Sequence, residues 1–257
     1  MVSQHPWSRY IALGDSFTEG VGDDEPKSPG GVRGWADRVA EVLNEGVDDF
    51  AYANLAIRGR LMQQIIDEQI DPAIAMHPDL VSLCAGGNDL LRPGADPDVL
   101  ADELEAAVDR LSRSGATVVL FTGTDTAHSP VFRLIRNKVA IFNMNIYRIA
   151  HHHDAVVVDQ WALDFLKDPR MWSEDRLHLN PIGHHNMAIA VLRALNVDND
   201  LQPDFPGPLP EKPWREARAE DMVWAKNYLW PWVLRRLRHQ SSGDGRRPKR
   251  PEPDFLD

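Results

Sequence analysis

The sequence predicts an α/β domain built around a parallel β-sheet. Short apolar runs typical of buried parallel strands occupy residues 10–13, 80–84, 117–121 and 155–158, with 50–55 as a weaker fifth. Stretches with helical spacing lie between these runs. Strand and helix alternate about five times, which implies right-handed crossovers and a functional edge at the carboxyl ends of the strands.

Two of the stretches between the strands carry apolar side chains on one helical face. The first face comprises Trp35, Val39, Val42 and Leu43, and the second comprises Leu100, Leu104, Ala107, Val108 and Leu111. Helix starts are predicted where a capping side chain precedes a proline, at Asp96-Pro97, Ser129-Pro130 and Asn180-Pro181.

The composition changes beyond residue 197, and this change divides the 257-residue chain into three predicted parts. Residues 1–197 form the main domain. Residues 198–239 form a connector followed by an aromatic-rich C-terminal helix, from Trp214 to His239, that is expected to pack on the domain as an added layer. Residues 240–257 are polar and basic and are expected to form a disordered tail.

Charge and cysteine content exclude several classes of protein. The formal net charge of −11 and the pI near 5.3 disfavour nucleic acid as a partner, because phosphate binding needs clustered Lys and Arg. The single cysteine, Cys84, excludes an intrachain disulfide and a multi-cysteine metal site, and we expect it to be packed. No apolar run approaches the ~20 residues of a membrane helix and no signal-peptide pattern is present, so a cytoplasmic location is expected.

Two polar motifs have the residue types of a hydrolytic site. Ser16, in the Gly-Asp-Ser sequence of residues 14–16, follows the first strand and is expected at the carboxyl edge of the sheet. Asp175 and His178 are spaced so that the carboxylate can hold one imidazole nitrogen while the other faces outward, ready to accept a serine proton. Each motif alone is more typical of an ordinary turn, for Gly-Asp-Ser, or of a surface or capping pair, for Asp175 and His178, than of catalysis.

Two further positions can supply hydrogen-bond donors at the same edge. Asn88 follows the run at 80–84, and Gly59 follows the candidate strand at 50–55, where the missing side chain lets the backbone approach a substrate. Converging donors stabilise the oxyanion formed in ester hydrolysis, each by about 3 kcal/mol of barrier. Taken singly, each of the two residues is better explained as an ordinary turn former.

Together, in order and position, these four blocks resemble those of the SGNH (GDSL-type) esterase and acylhydrolase family. The resemblance extends over residues 10–188. It implies a three-layer α/β/α sandwich with a flavodoxin-like, parallel five-stranded sheet. One departure is Phe17, which stands where many relatives carry Leu and leaves the catalytic group intact.

The family resemblance also implies a role for each residue singled out above. Ser16 is the nucleophile, and Asp175 and His178 complete a catalytic triad. The oxyanion hole consists of the N–H of Ser16, the N–H of Gly59 and the side-chain amide of Asn88.

The implied function is that of a serine esterase acting on small-molecule carboxylic esters through an acyl-serine intermediate, with no metal and no cofactor. A carbohydrate O-deacetylase, a thioesterase or lysophospholipase, and a catalytically idle binding protein on the same scaffold stay open as alternatives. Neither nucleic acid nor stable membrane insertion is expected, and the sequence leaves the oligomeric state open.

The clustered histidines favour no metal site. Consecutive His151, His152 and His153 point about 100° apart on a helix and cannot converge on one ion, so they indicate a solvated helix end. His184 and His185 are expected on a helix near the rim of the site.

Overall fold

Six strands form one sheet in the part of the chain that the structure describes. The structure is a computed structural model that describes residues 5–129, 131–207, 214–231, 234 and 241–255. The strands are β1 (Arg9–Gly14), β2 (Ala51–Asn54), β3 (Leu80–Cys84), β4 (Thr117–Phe121), β5 (Val156–Val158) and β6 (Arg250–Phe255). Their order is β5-β4-β3-β1-β2-β6, with β1 to β5 parallel and β6 antiparallel to β2. The predicted α/β fold is confirmed.

Helices connect the strands. They are α1 (Ser16–Glu19), α2 (Gly34–Asn44), α3 (Met62–Ile65), α4 (Asp71–Ala75), α5 (Gly87–Leu90), α6 (Pro97–Arg113), α7 (Arg136–His153), α8 (Pro181–Ala194) and α9 (Trp214–Trp224). Two π-helical segments, Ile66–Ile70 and Ala225–Leu229, join α3 to α4 and extend α9. Among these described helices, none is long and apolar enough to span a bilayer.

The order of the strands places the functional edge beside β1. The chain passes from β1 to β2 and then returns across β1 to form β3, β4 and β5. Ligands of open α/β sheets bind outside the carboxyl ends of the strands where the connection reverses in this way. Gly14 pairs with Cys84, so the neighbouring strands β1 and β3 end at the same level, on the two sides of the place where the connection reverses.

Apolar clusters on both faces of the sheet make a three-layer sandwich. One cluster joins the sheet to α2 and α8, and the other joins it to α3, α4, α6 and α7. Every residue of the two predicted helical faces is buried, from Trp35 on α2 to Leu111 on α6. The predicted faces are therefore confirmed.

Two of the three predicted helix starts are confirmed. The Asp96 side chain caps α6, and the Asn180 side chain caps α8 by accepting from the N–H of Gly183 at 2.9 Å. The start at Ser129-Pro130 is wrong, since α7 begins at Arg136. The Ser129 hydroxyl instead accepts from the N–H of Phe132 at 3.2 Å and precedes a short 3-10 turn; residue 130 lies outside the described residues.

The expectation of a disordered tail is wrong for residues 241–255, which add the sixth strand to the predicted five. The Lys249 ammonium group is buried and donates to the carbonyls of Val32 and Arg33 and to the Asp37 carboxylate. This burial of a paired charge fixes the start of β6. Because β6 is an edge strand, its outward-facing groups need no ladder hydrogen bonds, which makes the prolines within it acceptable.

Part of the predicted aromatic helix is seen as α9 and the π-helical segment that follows it. Residues 208–213, directly before α9, lie outside the described residues, so its predicted start stays a prediction. Residues 232, 233 and 235–240 of that prediction lie outside the described residues. The division of the chain at residue 197 stays a prediction.

His184 is buried rather than at the rim of the site, contrary to expectation. Its side chain is 0% exposed, with Nδ1 3.2 Å from the N–H of Trp35 and Nε2 3.2 Å from the carbonyl of Val21. A neutral ring with its proton on Nε2 satisfies both groups. Burial lowers the pKa of His184 to about 4, against an ordinary 6.5.

We expect His184 to make folding sensitive to acid. As the pH falls below 6.5, His184 becomes protonated in the unfolded chain but stays neutral in the folded chain until about pH 4. The contribution of His184 to the free energy of unfolding is therefore complete above pH 6.5 and falls by about 3 kcal/mol towards pH 4. The replacement His184→Gln keeps a donor for Val21 and does not titrate. Urea unfolding at several pH values should show the difference between the two proteins shrinking by that amount; a pH-independent difference contradicts the assignment.

Candidate active site

The position of Ser16 is set by how β1 ends. The Gln69 side chain accepts from the N–H of Gly14 at 2.8 Å and donates to its carbonyl at 2.9 Å. Gly14 has φ +145°, and a Cβ there would lie 2.5 Å from the carbonyl oxygen of Cys84. Glycine is therefore required at this point, and Ser16 follows at the first position of α1.

Asp175 and His178 form the hydrogen-bonded pair that their spacing predicts. The distance from His178 Nδ1 to Asp175 Oδ2 is 2.6 Å, and Asp175 Oδ1 accepts from the N–H groups of Leu177 and His178 at 2.9 and 3.0 Å. Burial raises the pKa of Asp175, but the hydrogen bonds and charge of His178 outweigh it, so the pKa lies below its ordinary value. The carboxylate thus stays ionised and fixes the proton on Nδ1, which leaves Nε2 as an acceptor.

Helix α9 contacts the loop that carries this pair. Trp224 Nε1 donates to the carbonyl of Asp175 at 3.1 Å, and the Arg176 guanidinium lies 4.8 Å from the centre of the Trp224 ring. Arg176 also pairs with Asp221 at 2.7 Å, and the Tyr228 hydroxyl donates to Glu174 at 2.7 Å. Three consecutive residues of the loop, 174–176, are thereby attached to the aromatic helix.

Among the residues that the structure describes, no hydrogen bond joins the side chains of Ser16 and His178. The segment that follows α1 packs against the residue after His178, since a Cβ on Gly22 would lie 2.2 Å from the carbonyl oxygen of Leu179. Within the described residues, Ser16 makes no side-chain hydrogen bond, and its N–H donates to no other residue. Hydrogen bonds between catalytic groups are often long in the absence of substrate and tighten when it binds.

Gly59 lies in a loop fastened to α1. Its φ is +75°, and within the described residues its N–H donates to no other group. The neighbouring Arg58 donates through its own N–H to Glu19 Oε2 at 2.6 Å, and its guanidinium pairs with Glu19 Oε1, also at 2.6 Å. Both side chains are largely buried. The loop therefore keeps a fixed position relative to Ser16.

Asn88 reaches the predicted edge, with both amide hydrogens engaged. Its Nδ2 donates to Asp15 Oδ2 at 2.7 Å and to the carbonyl of Arg60 at 3.1 Å. The amide therefore lies between the residue before Ser16 and the residue after Gly59. A substrate oxyanion at this place would compete with the Arg60 carbonyl for one of the two hydrogens.

Sequence reasoning missed Asp15 as a member of the site. Its side chain caps α1 by accepting from the N–H of Phe17 at 3.1 Å and also holds Asn88. Burial raises the pKa of Asp15 to about 6, and the hydrogen bonds and the charge of His178 oppose this shift. Its place directly before a helix was a capping signal, but no sequence signal paired it with Asn88.

Outside the site, the described residues contain no cluster of side chains arranged to hold a metal ion. His152 at the end of α7 contacts Glu105 at 3.0 Å, and His153 lies 3.8 Å from the same carboxylate oxygen. Cys84 is a free thiol that packs against the apolar cluster on the α2 face, and burial raises its pKa well above the ordinary value.

Comparison with known families identifies the family of this chain. A profile of the GDSL-like Lipase/Acylhydrolase family matches residues 12–185, more than half of the chain. The protein is thus by class a carboxylic ester hydrolase. It belongs to the GDSL-like lipase/acylhydrolase family. The matched range includes Ser16, Asp175 and His178 and ends before α9 and β6.

Several solved structures share the fold. TesA is 22% identical with a TM-score of 0.61, and the match covers 73% of this chain and 97% of TesA. The acetylxylan esterase Axe2 from Geobacillus stearothermophilus is 20% identical with a TM-score of 0.58, covering 73% and 94% of the two chains. The psychrotrophic esterase EstA from Pseudoalteromonas sp. is 17% identical with a TM-score of 0.60, covering 74% and 97%. A search of curated proteins finds no match.

We expect Gln69→Leu to lower both stability and turnover. The apolar side chain leaves the N–H of Gly14 without a partner, at about 1–3 kcal/mol, and removes one of the two donors to its carbonyl, which keeps the N–H of Ile57 at 3.3 Å. Gln63→Leu is the matched control, because Gln63 lies on the solvent side of the same helix. Urea unfolding and ester hydrolysis measure the two effects. Equal stability of the two variants contradicts the role given to Gln69.

Proposed function

We propose that the protein hydrolyses carboxylic esters through an acyl enzyme formed on Ser16. The observation that carries this proposal is the Asp175–His178 pair, with 2.6 Å between Oδ2 and Nδ1. A serine hydroxyl is a weak nucleophile and needs an adjacent base. The ring orientation, with Nδ1 bound to a carboxylate, leaves Nε2 to act as that base.

In the proposed cycle, His178 Nε2 removes the hydroxyl proton of Ser16 as its Oγ attacks the ester carbonyl carbon. Asp175 stabilises the imidazolium that forms. The tetrahedral intermediate collapses, the C–O bond to the alcohol breaks, and His178 gives its proton to the leaving oxygen. His178 then takes a proton from water as the water oxygen attacks the acyl carbon. The bond from that carbon to Ser16 Oγ breaks, His178 returns the proton to Oγ, and the carboxylic acid leaves.

Hydrogen-bond donors support the negative charge in this proposal. The N–H groups of Ser16 and Gly59 are the main-chain donors, since neither is used within the described residues. Asn88 supplies a third donor by releasing the Arg60 carbonyl. Donors that strengthen as charge develops lower the barrier without tightening substrate binding.

We expect Ser16→Ala to reduce kcat by about 10⁴-fold or more, because the acyl enzyme cannot form. Hydrolysis of p-nitrophenyl acetate and labelling by a fluorophosphonate probe measure the loss. Ser28→Ala is the control, since Ser28 precedes a short 3-10 turn, makes no capping hydrogen bond with its side chain, and should keep full activity and labelling. Unchanged turnover by pure Ser16→Ala rejects Ser16 as the nucleophile, and a wild-type protein that resists the probe favours an idle scaffold.

A small cavity beside the catalytic loop favours short acyl groups. Its volume is about 150 Å³, and its lining residues are Ser129, Val131, Phe132, Arg176, Asp221 and Trp224. This volume holds about five water-sized groups. We propose that it receives the acyl chain, which favours an esterase or O-deacetylase for acetyl and similarly short groups over a lysophospholipase.

We expect kcat/KM to be highest for acetyl to butyryl esters and at least about tenfold lower for decanoyl esters, because added methylenes exceed the cavity. Phe132→Ala should shift the preference to longer chains by opening one wall. Phe205→Ala, an exposed phenylalanine elsewhere, should leave it unchanged. A panel of p-nitrophenyl esters and acetylated sugars measures both specificity and O-deacetylase activity; preference for palmitoyl esters contradicts this use of the cavity.

A further inference from the structure

A C-terminal segment outside the family region meets the loop that carries Gly59. Residues 241–255, which we call the clasp, follow the range 12–185 that matches the family. The clasp consists of a turn at 241–244, the buried Lys249 and β6.

The far end of the clasp is anchored in the sheet. β6 pairs with β2, with Tyr52 opposite Asp254 and Asn54 opposite Arg250. The Arg250 guanidinium lies 5.6 Å from the centre of the Tyr52 ring. The side chain of Lys249 is only 2% exposed, and all three hydrogens of its ammonium group have acceptors on or beside α2. The clasp is therefore an integral part of the domain.

The near end of the clasp packs directly on the loop around Gly59. The Ser241 hydroxyl is 3.4 Å from the carbonyl of Arg58. A Cβ on Gly59 would lie 2.3 Å from Ser241 Oγ, and a Cβ on Gly243 would lie 2.0 Å from the Arg58 carbonyl oxygen. No side chain fits between the two backbones, so a shift of the turn requires a shift of the loop.

The turn at 241–244 is held by its own hydrogen bonds, and it contacts the Gly59 loop, which α1 also contacts. Ser241 N–H donates to Asp244 Oδ2 at 2.9 Å, and the Ser241 hydroxyl accepts from the N–H of Gly243 at 3.1 Å. Arg58 is bound to Glu19 of α1 through both its backbone N–H and its guanidinium. The loop is thus fixed between α1 and the clasp.

We propose that the clasp positions the Gly59 N–H for the oxyanion, with Ser241 and Gly243 as positioning residues and with Lys249 and β6 as the anchor. This inference rests on the proposed function, because the placement of Gly59 affects turnover only if its N–H binds the oxyanion. A displaced donor stabilises the transition state less well but changes the binding of the substrate little. The value of kcat therefore falls while KM stays the same.

The test is Gly243→Ala, whose added methyl group would collide with the Arg58 carbonyl. Steady-state kinetics with p-nitrophenyl acetate should show kcat reduced about tenfold or more, with KM within about twofold of the wild type. Amide hydrogen exchange, followed by mass spectrometry, should speed up in residues 55–61. Glu252→Ala is the matched control, because Glu252 is exposed on β6 and should change none of these values.

Wild-type kcat in Gly243→Ala, or a rise in KM alone, overturns the inference. If Gly243→Ala does not fold, Ser241→Ala decides, because it removes the hydroxyl over Gly59 without adding bulk. A several-fold lower kcat at constant KM then supports the clasp, and wild-type kcat overturns it. Failure of the proposed function is a separate result, because it appears without any change to the clasp: Ser16→Ala would then hydrolyse esters as fast as the wild type.

Discussion

The site depends on the double hydrogen bond between the Gln69 side chain and the main chain of Gly14. β1 is the strand from which the crossovers run in both directions, and it must end close to β3, where only glycine fits against the Cys84 carbonyl. At that point the Gln69 side chain pairs with both the N–H and the carbonyl of Gly14, and the carbonyl also accepts from the N–H of Ile57. Ser16 is consequently placed by packed main chain rather than by a free loop, which is how precise sites are generally built.

The groups around Ser16 form a closed ring of contacts. Asp15 holds the Asn88 amide, Asn88 holds the Arg60 carbonyl, and Arg58, two residues earlier in the same loop, returns to α1 through Glu19. The ring ties the ends of three strands together before any substrate is present. Preorganised donors of this kind need not rearrange as negative charge develops, which is the main reason that such sites lower barriers.

Much of the fold could be predicted from the sequence, because β1 to β5 are buried on both faces and are visible as apolar runs. The Asp175–His178 contact was predictable too, since three residues of spacing decide it. β6 was not, because Pro251 and Pro253 and its charged neighbours resemble a solvated tail, and the strand forms through main-chain pairing and the distant Lys249–Asp37 contact. A local pattern cannot reveal a partner more than two hundred residues away.

The sequence separation between β2 and β6 bears on how the molecule folds. The sheet edge next to the Gly59 loop is completed by residues synthesised long after that loop has left the ribosome. Closing so large a loop of chain is slow compared with pairing β1 to β3, and folding rates fall as such distant contacts increase. The Gly59 loop would consequently acquire its final shape as one of the last events of folding, after the central strands have already assembled.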